Sequence, residues 1–124
     1  MNDQSPHIRG YHAHVYYDAG SRTAAETLAK ALGEKFAVGP GGFFDEPVGP
    51  HPVANVQIIF PPAEFASVVP WLMQNRSGLN VLIHPLSDDP VRDHDADGAW
   101  LGTPVPLKLH ALRRDYRPEL LPSD

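Results

Sequence analysis

Histidine is the residue type that points to chemistry in this sequence. The chain has 124 residues, of which seven are histidine and none is cysteine. His12 and His14 are separated by one residue, in a run rich in aromatic and β-branched side chains that predicts a strand. Because side chains alternate along a strand, both imidazoles point to one sheet face, with Cα atoms roughly 6.5 to 7 Å apart. Two such side chains can converge on one metal ion.

A third histidine is predicted on the same face. The run from residue 79 to 84 predicts a short strand whose odd-numbered residues are all apolar and belong to the core. This alternation turns His84 towards the face that carries His12 and His14. We therefore expect these three histidines to be metal ligands. The alternative is that the pair in the first strand lies at a half-exposed sheet surface and binds nothing.

Four further side chains are candidate substrate contacts. Tyr16 follows the two histidines at even spacing, and the strand predicted at residues 53–60 turns Asn55 and Gln57 to the same face. Trp100 follows an acidic loop that can fold over this face as a lid. The alternative for that loop is a solvated segment without a function.

Two histidines are candidate catalytic groups. His51 stands between two prolines in the motif GPHP, which restricts its backbone and suits a ligand, a base or a substrate clamp. His94 lies in the polar segment DHDADGAWLG. Exposed turn or loop histidines are the alternative at both positions.

The elements that must position these side chains follow the order β-α-β-β-α-β. This order predicts an α+β, ferredoxin-like fold: an antiparallel four-stranded sheet, two helices on one face, and an open face covered by dimerisation or by the tail. We expect one domain over residues 1–124, with a flexible arm at 1–7, the core at 8–85 and an irregular loop and tail at 86–124. The predicted elements are strands at 8–17, 53–60 and 79–84 with a short or edge strand around 43–44, and helices at 22–36 and 63–76. Ser21 is the predicted N-cap of the first helix, and Pro70 is expected to bend or limit the second.

Charge and composition exclude several classes of function. Ten basic and fifteen acidic residues give a net charge of −5, which argues against nucleic acid as a partner. The N-terminal residues do not have the pattern of a signal peptide, and no run is long and apolar enough for a membrane span. We expect a cytoplasmic protein without a membrane partner. Phosphate-loop, dinucleotide and serine-hydrolase motifs are absent from the sequence.

Four motifs together resemble the DOPA 4,5-dioxygenase family. They are YHAHVYYD at 11–18, GPHP at 49–52, WLMQNRSGLNVLIHP at 71–85 and DHDADGAWLG at 93–102. The resemblance covers roughly residues 8 to 112. It implies a ferredoxin-like fold, commonly a homodimer, and an extradiol dioxygenase that opens the ring of DOPA or a related catechol with O2 and non-haem Fe(II). The family's histidines fall on His12, His14, His51, His84 and His94.

The implied chemistry leaves the metal and its ligands open. Three histidines leave coordination positions for a catechol and O2, but imidazole also suits zinc, manganese or copper. Many Fe(II) oxygenases use two histidines and one carboxylate, and Asp18, Glu46 or Asp93 can replace one histidine. Two other functions remain as alternatives: a zinc hydrolase or isomerase, and a module that binds a small aromatic molecule without catalysis.

Overall fold

The computed structural model describes residues 7–112, which form one five-stranded antiparallel sheet with helices. The spatial order of the strands is β2-β3-β1-β4-β5. Short 3₁₀ turns at Pro62–Glu64 and Leu109–Ala111 complete the structure. The elements are β1 (Tyr11–Tyr16), α1 (Arg22–Lys35), β2 (Gly42–Phe44), β3 (Asn55–Phe60), α2 (Phe65–Asn75), β4 (Val81–Pro85), α3 (Pro90–His94) and β5 (Ala99–Leu101).

The two long helices cover one face of the sheet, which holds the apolar core. Alternate residues of the central strands meet the apolar sides of α1 and α2, as the period of two predicts. Helix α2 continues past Pro70 to Asn75, so this proline does not end the helix. The buried core residues include Ala13, Val15, Leu28, Leu32, Val56, Ile58, Phe60, Val68, Leu72, Val81 and Ile83.

The opposite face is called here the histidine face, because β1 and β4 turn His12, His14 and His84 towards it. Strand β1 lies between β3 and β4, with His12 directly opposite His84 and with His14 opposite Gln57. The same alternation that buries the apolar set therefore brings three imidazoles together.

Two predictions about the fold are wrong. The sheet has five strands rather than four, and residues 86–112 are not wholly irregular, because they contain α3 and β5. Asp89 is the N-cap of helix α3, and its carboxylate accepts a hydrogen bond from the Arg92 amide, while Pro90 occupies the first turn. Both elements span only three to five residues, and β5 is specified by its pairing with β4 rather than by its own pattern.

Part of the predicted tail covers the histidine face. The ring of His94 in α3 lies 3.9 Å from that of His84, and Trp100 in β5 stacks on Tyr16 with ring centroids 5.8 Å apart. Most of the predicted arm, residues 1–6, and the end of the predicted tail, residues 113–124, lie outside the described residues. Across residues 7–112, no helix combines the length and apolar character that crossing a bilayer requires.

Candidate metal centre

Three buried histidines form the centre of the site. His12 and His14 come from β1 and His84 from β4, and one nitrogen of each lies within 4.8 Å of the others. The three ring centroids are 5.1 to 5.4 Å apart. This arrangement follows from strand alternation and from the register that sets His12 opposite His84.

Two further histidines border this group. His51 and His94 share with His14 a second set of ring nitrogens that lie within 4.8 Å of one another. The rings of His14 and His51 are 3.9 Å apart, and both His51 and His94 are buried. In residues 7–112 the groups able to hold a metal therefore consist of histidine alone.

Hydrogen bonds to outer partners determine which nitrogen of His14 carries a proton. Its Nδ1 lies 3.0 Å from Asn55 Oδ1, while Asn55 Nδ2 donates to the carbonyl of Val53 at 3.2 Å. Because the amide nitrogen is engaged with a carbonyl, the amide oxygen faces His14, and Nδ1 of His14 must donate. The neutral ring then presents a lone pair at Nε2.

The same reasoning applies to His84. Its Nδ1 lies 2.8 Å from the carbonyl oxygen of Pro85, which can only accept, so Nδ1 carries the proton. The Nε2 atoms of His14 and His84 are 3.1 Å apart. With both rings neutral, two lone pairs face each other at this distance, and only a cation between or beside them makes the contact favourable.

Protonation does not readily supply that cation. Burial lowers the pKa of both His14 and His84 well below the usual value, and the neighbouring histidines lower it further. A metal ion with nitrogen ligands at about 2.1 Å holds adjacent ligand atoms about 3.0 to 3.4 Å apart, which agrees with the observed contact. The donor set therefore fits a divalent metal.

His94 and His51 are also held by hydrogen bonds. Nδ1 of His94 donates to the carbonyl of Pro90 at 2.7 Å, which leaves Nε2 without a proton in the neutral ring. Nδ1 of His51 lies 2.8 Å from the Tyr16 hydroxyl. Burial, followed by the neighbouring His94 and His12, lowers the pKa of His51 to about 3, and burial also lowers the pKa of His94. Both rings are neutral at pH 7.

The three candidate carboxylates lie elsewhere. Asp93 is buried, but it accepts hydrogen bonds from the backbone amide of Ser87, at 2.9 Å, and from the Ser87 hydroxyl. Asp18 accepts from the amide and hydroxyl of Ser21 in the turn before α1, and Glu46 is exposed. None of the three belongs to a described group that can hold a metal.

The predicted substrate contacts occupy different positions around the histidines. Gln57 is partly buried and lines the same small cavity as His12, His14 and His51. Asn55 lines it too, but its amide is engaged with His14. Tyr16 and Trp100 stack on each other, and Tyr16 is joined to His51. Contact of these four residues with a substrate stays a prediction.

Several parts of the site were not predicted from the sequence. The carbonyls of Pro85 and Pro90 orient two histidines, and Phe44 and Val48 line the cavity beside His51. The proline directly after His84 and the motif GFFDEPVGPHP could have indicated these residues in the sequence. The directions of the backbone carbonyls could not be predicted, because they depend on the folded chain.

The buried neutral histidines predict a steep loss of stability in mild acid. The unfolded chain binds protons with a pKa near 6.5, whereas the folded chain resists them at His14, His51, His84 and His94. Their contribution to stability is complete above pH 6.5 and is lost as the pH falls below it. Each group contributes up to about 1.4 kcal/mol per pH unit.

Urea unfolding of the metal-free protein, measured with a chelator between pH 5.5 and 7.5, checks this prediction. His51→Gln should reduce the slope of unfolding free energy against pH, whereas a variant of the exposed His110 should keep it. An unfolding free energy that stays flat between pH 7 and 5.5 would contradict the burial of neutral histidines.

Comparison with protein families agrees with this histidine-rich architecture. The model of the Dopa 4,5-dioxygenase family matches residues 11–111 of the chain. The matched range contains all five clustered histidines and the strands β1 and β4. The chain belongs to this family.

Two curated proteins are similar to this chain over most of its length. The chain is 36% identical to a DOPA 4,5-dioxygenase from Amanita muscaria, over 94% of this chain and 56% of that protein. It is 33% identical to an uncharacterized 21.2 kDa protein from Botryotinia fuckeliana, over 86% of this chain and 66% of that protein. The chain thus spans between half and two thirds of the length of these curated relatives.

A solved structure shares the α+β fold. A Nostoc punctiforme protein, provisionally described as a dioxygenase, superposes with a TM-score of 0.85 at 44% sequence identity. The match covers 89% of this chain and 96% of the other.

Proposed function

We propose that this protein is a metal-dependent extradiol dioxygenase that opens the ring of a catechol. The observation that carries the proposal is the contact between Nε2 of His14 and Nε2 of His84, whose tautomers place two lone pairs 3.1 Å apart in a buried site. Family membership supports the reaction class. Strand order 2-3-1-4 supports a ferredoxin-like arrangement extended by β5. The dimer and the cytoplasmic location stay predictions.

His12, His14 and His84 would hold the metal. A bound Fe(II) ion would supply coordination positions for the two catechol oxygens and for O2. In the overall reaction the ring C–C bond between one oxygen-bearing carbon and its neighbour without oxygen breaks. Both atoms of O2 enter the semialdehyde product, one at each of the two separated carbons. No external reductant is therefore needed.

His51 and His94 would move protons beside the bound ring. Both imidazoles are neutral at pH 7, so each can accept a proton from a catechol hydroxyl. The negative charge that develops on the catechol raises the proton affinity of a nearby imidazole, which offsets the effect of burial. The Tyr16 hydroxyl holds the His51 ring through Nδ1, so that the rest of the ring faces His14.

Asn55 would position His14 through the hydrogen bond to Nδ1, in addition to any contact with the substrate. Asn55→Leu removes the acceptor for Nδ1, so we expect the proton to move partly to Nε2 and the metal affinity to fall roughly 10- to 100-fold. Asn55→Asp retains an acceptor for Nδ1, so it should preserve both the His14 tautomer and the metal affinity. NMR of histidine tautomers in the metal-free protein, with metal titrations, measures the two effects. Unchanged His14 tautomer and affinity in Asn55→Leu would exclude this role.

Oxygen consumption tests the proposed function directly. Protein loaded anaerobically with Fe(II) is mixed with a panel of catechols, air is admitted, and oxygen uptake is followed together with visible absorbance. We expect one O2 per catechol and a yellow product. Tight metal binding without oxygen uptake for any catechol would contradict a dioxygenase and favour the zinc enzyme, while absence of metal binding would favour a binding module.

A further inference from the structure

The cavity beside the histidines is small. It has a volume of about 100 Å³ and reaches from the buried rings of His12, His14 and His51 to the partly exposed Phe44 and Val48. A buried cavity of about 150 Å³ suffices to hold benzene. The cavity is smaller than that and opens at its mouth, so a ring whose oxygens face the histidines enters only in part and places any substituent at the mouth.

Phe44 and Val48 form the apolar mouth of this cavity. Their exposed fractions are 37% and 39%, whereas the histidines behind them are buried. Phe44 ends β2 and pairs with Asn55, which sets its side chain on the histidine face. A substituent on a ring whose oxygens face the histidines therefore contacts Phe44 and Val48.

The mouth is held rigidly relative to His51. Val48 and His51 exchange two backbone hydrogen bonds of 3.0 and 2.9 Å across a tight turn. Gly49 in this turn has φ of 54°, a conformation that glycine adopts without strain. The carbonyl of the next residue, Pro50, accepts from the amide of Lys108 at 2.8 Å. Val48 and the catalytic candidate His51 thus move as one unit.

The chemistry of the walls does not suit a charged substituent. Within residues 7–112, the side chains that line the cavity are apolar, amide or imidazole, and none is Lys, Arg, Asp or Glu. Glu46, two residues before Val48, is exposed and adds negative charge to the same segment. At this mouth a carboxylate finds no basic partner among the lining side chains and the neighbouring Glu46 carries the same charge, whereas an apolar substituent gains contact with Phe44 and Val48.

We infer that the site takes single-ring catechols with a short apolar substituent in preference to catechols that carry an amino-acid side chain, with Phe44 and Val48 determining this specificity. The inference rests on the proposed function and names its substrate class. The preferred substrate class differs from DOPA, the compound in the family's name, because it is derived from the residues at the mouth of this chain's own cavity.

The test compares kcat/KM for oxygen uptake with 4-methylcatechol and with L-DOPA on the Fe(II)-loaded protein. We expect a preference of roughly tenfold or more for 4-methylcatechol. Val48→Arg should shift the ratio towards L-DOPA by roughly tenfold, because its guanidinium can pair with the carboxylate. Val48→Gln, of intermediate length and without charge, serves as the matched control and should not favour L-DOPA. Lys108→Gln should leave the ratio unchanged.

Two failures are distinguishable. If L-DOPA is cleaved as efficiently as 4-methylcatechol or better, or if Lys108→Gln selectively reduces its cleavage, the inference is wrong while the dioxygenase assignment stands. If no catechol in the panel supports oxygen uptake, the proposed function itself fails, and the specificity inference with it.

Discussion

His84→Ala is expected to abolish stoichiometric metal binding while the fold survives. The substitution removes one of the two facing Nε2 lone pairs and one of the three convergent rings of the central group. Removing a residue that hydrogen-bonds to a metal ligand already lowers metal affinity roughly 10- to 100-fold, so removing the ligand itself should lower it further. Metal content after dialysis and the far-ultraviolet circular dichroism spectrum measure the two parts of this prediction. His14→Ala should behave in the same way.

His110→Ala is the matched control for these variants. His110 is exposed and belongs to neither histidine group, so its replacement should leave one metal per chain. The ligand assignment would be wrong if His84→Ala or His14→Ala retained stoichiometric iron at an affinity close to that of the unaltered protein.

His51→Ala is expected to leave the metal bound and to slow ring opening. His51 lies against His14, but it is outside the group formed by His12, His14 and His84. Removing a proton-transfer group from a reaction of this kind lowers the rate by roughly 10²- to 10⁴-fold. Single-turnover oxygen uptake by the metal-loaded variant measures the chemical step separately from substrate binding.

The metal content of His51→Ala also separates two locations for the metal. If the metal is lost, the ion is held by the alternative group of His14, His51 and His94. If the metal stays and the rate is unchanged, His51 has no part in the reaction. Tyr16→Phe removes the hydrogen bond to Nδ1 of His51 without removing the ring, so a smaller rate loss than in His51→Ala is expected.

Strand periodicity predicted most of the central sheet. Alternation between apolar and polar residues around His12 and His84 indicated which face of each strand is buried, and the structure confirms that face and the two long helices. The sequence did not predict the short elements α3 and β5. Strand β5 has three residues, and its backbone is extended because β4 offers an unpaired edge, which is a property of the folded sheet.

Local spacing also could not predict which distant histidines meet. His51 and His94 were recognised as candidates from a proline frame and a polar motif, but neither observation carries a distance. The turn at Gly49 and the packing of α3 against β4 bring these rings beside His14 and His84. Asp93 illustrates the converse, since a candidate ligand in sequence is engaged by Ser87 in the folded chain.

The sequence by itself determined that His12, His14 and His84 share one sheet face, because the period of two is a property of the extended backbone. Only the tertiary structure decided that five histidines cluster, and which ring nitrogen of His14, of His84 and of His94 is left without a proton. Those nitrogens are selected by Asn55 and by the carbonyls of Pro85 and Pro90. Hydrogen bonds of this kind depend on the relative positions of separate segments, and those positions exist only once the sheet and its covering loops have packed.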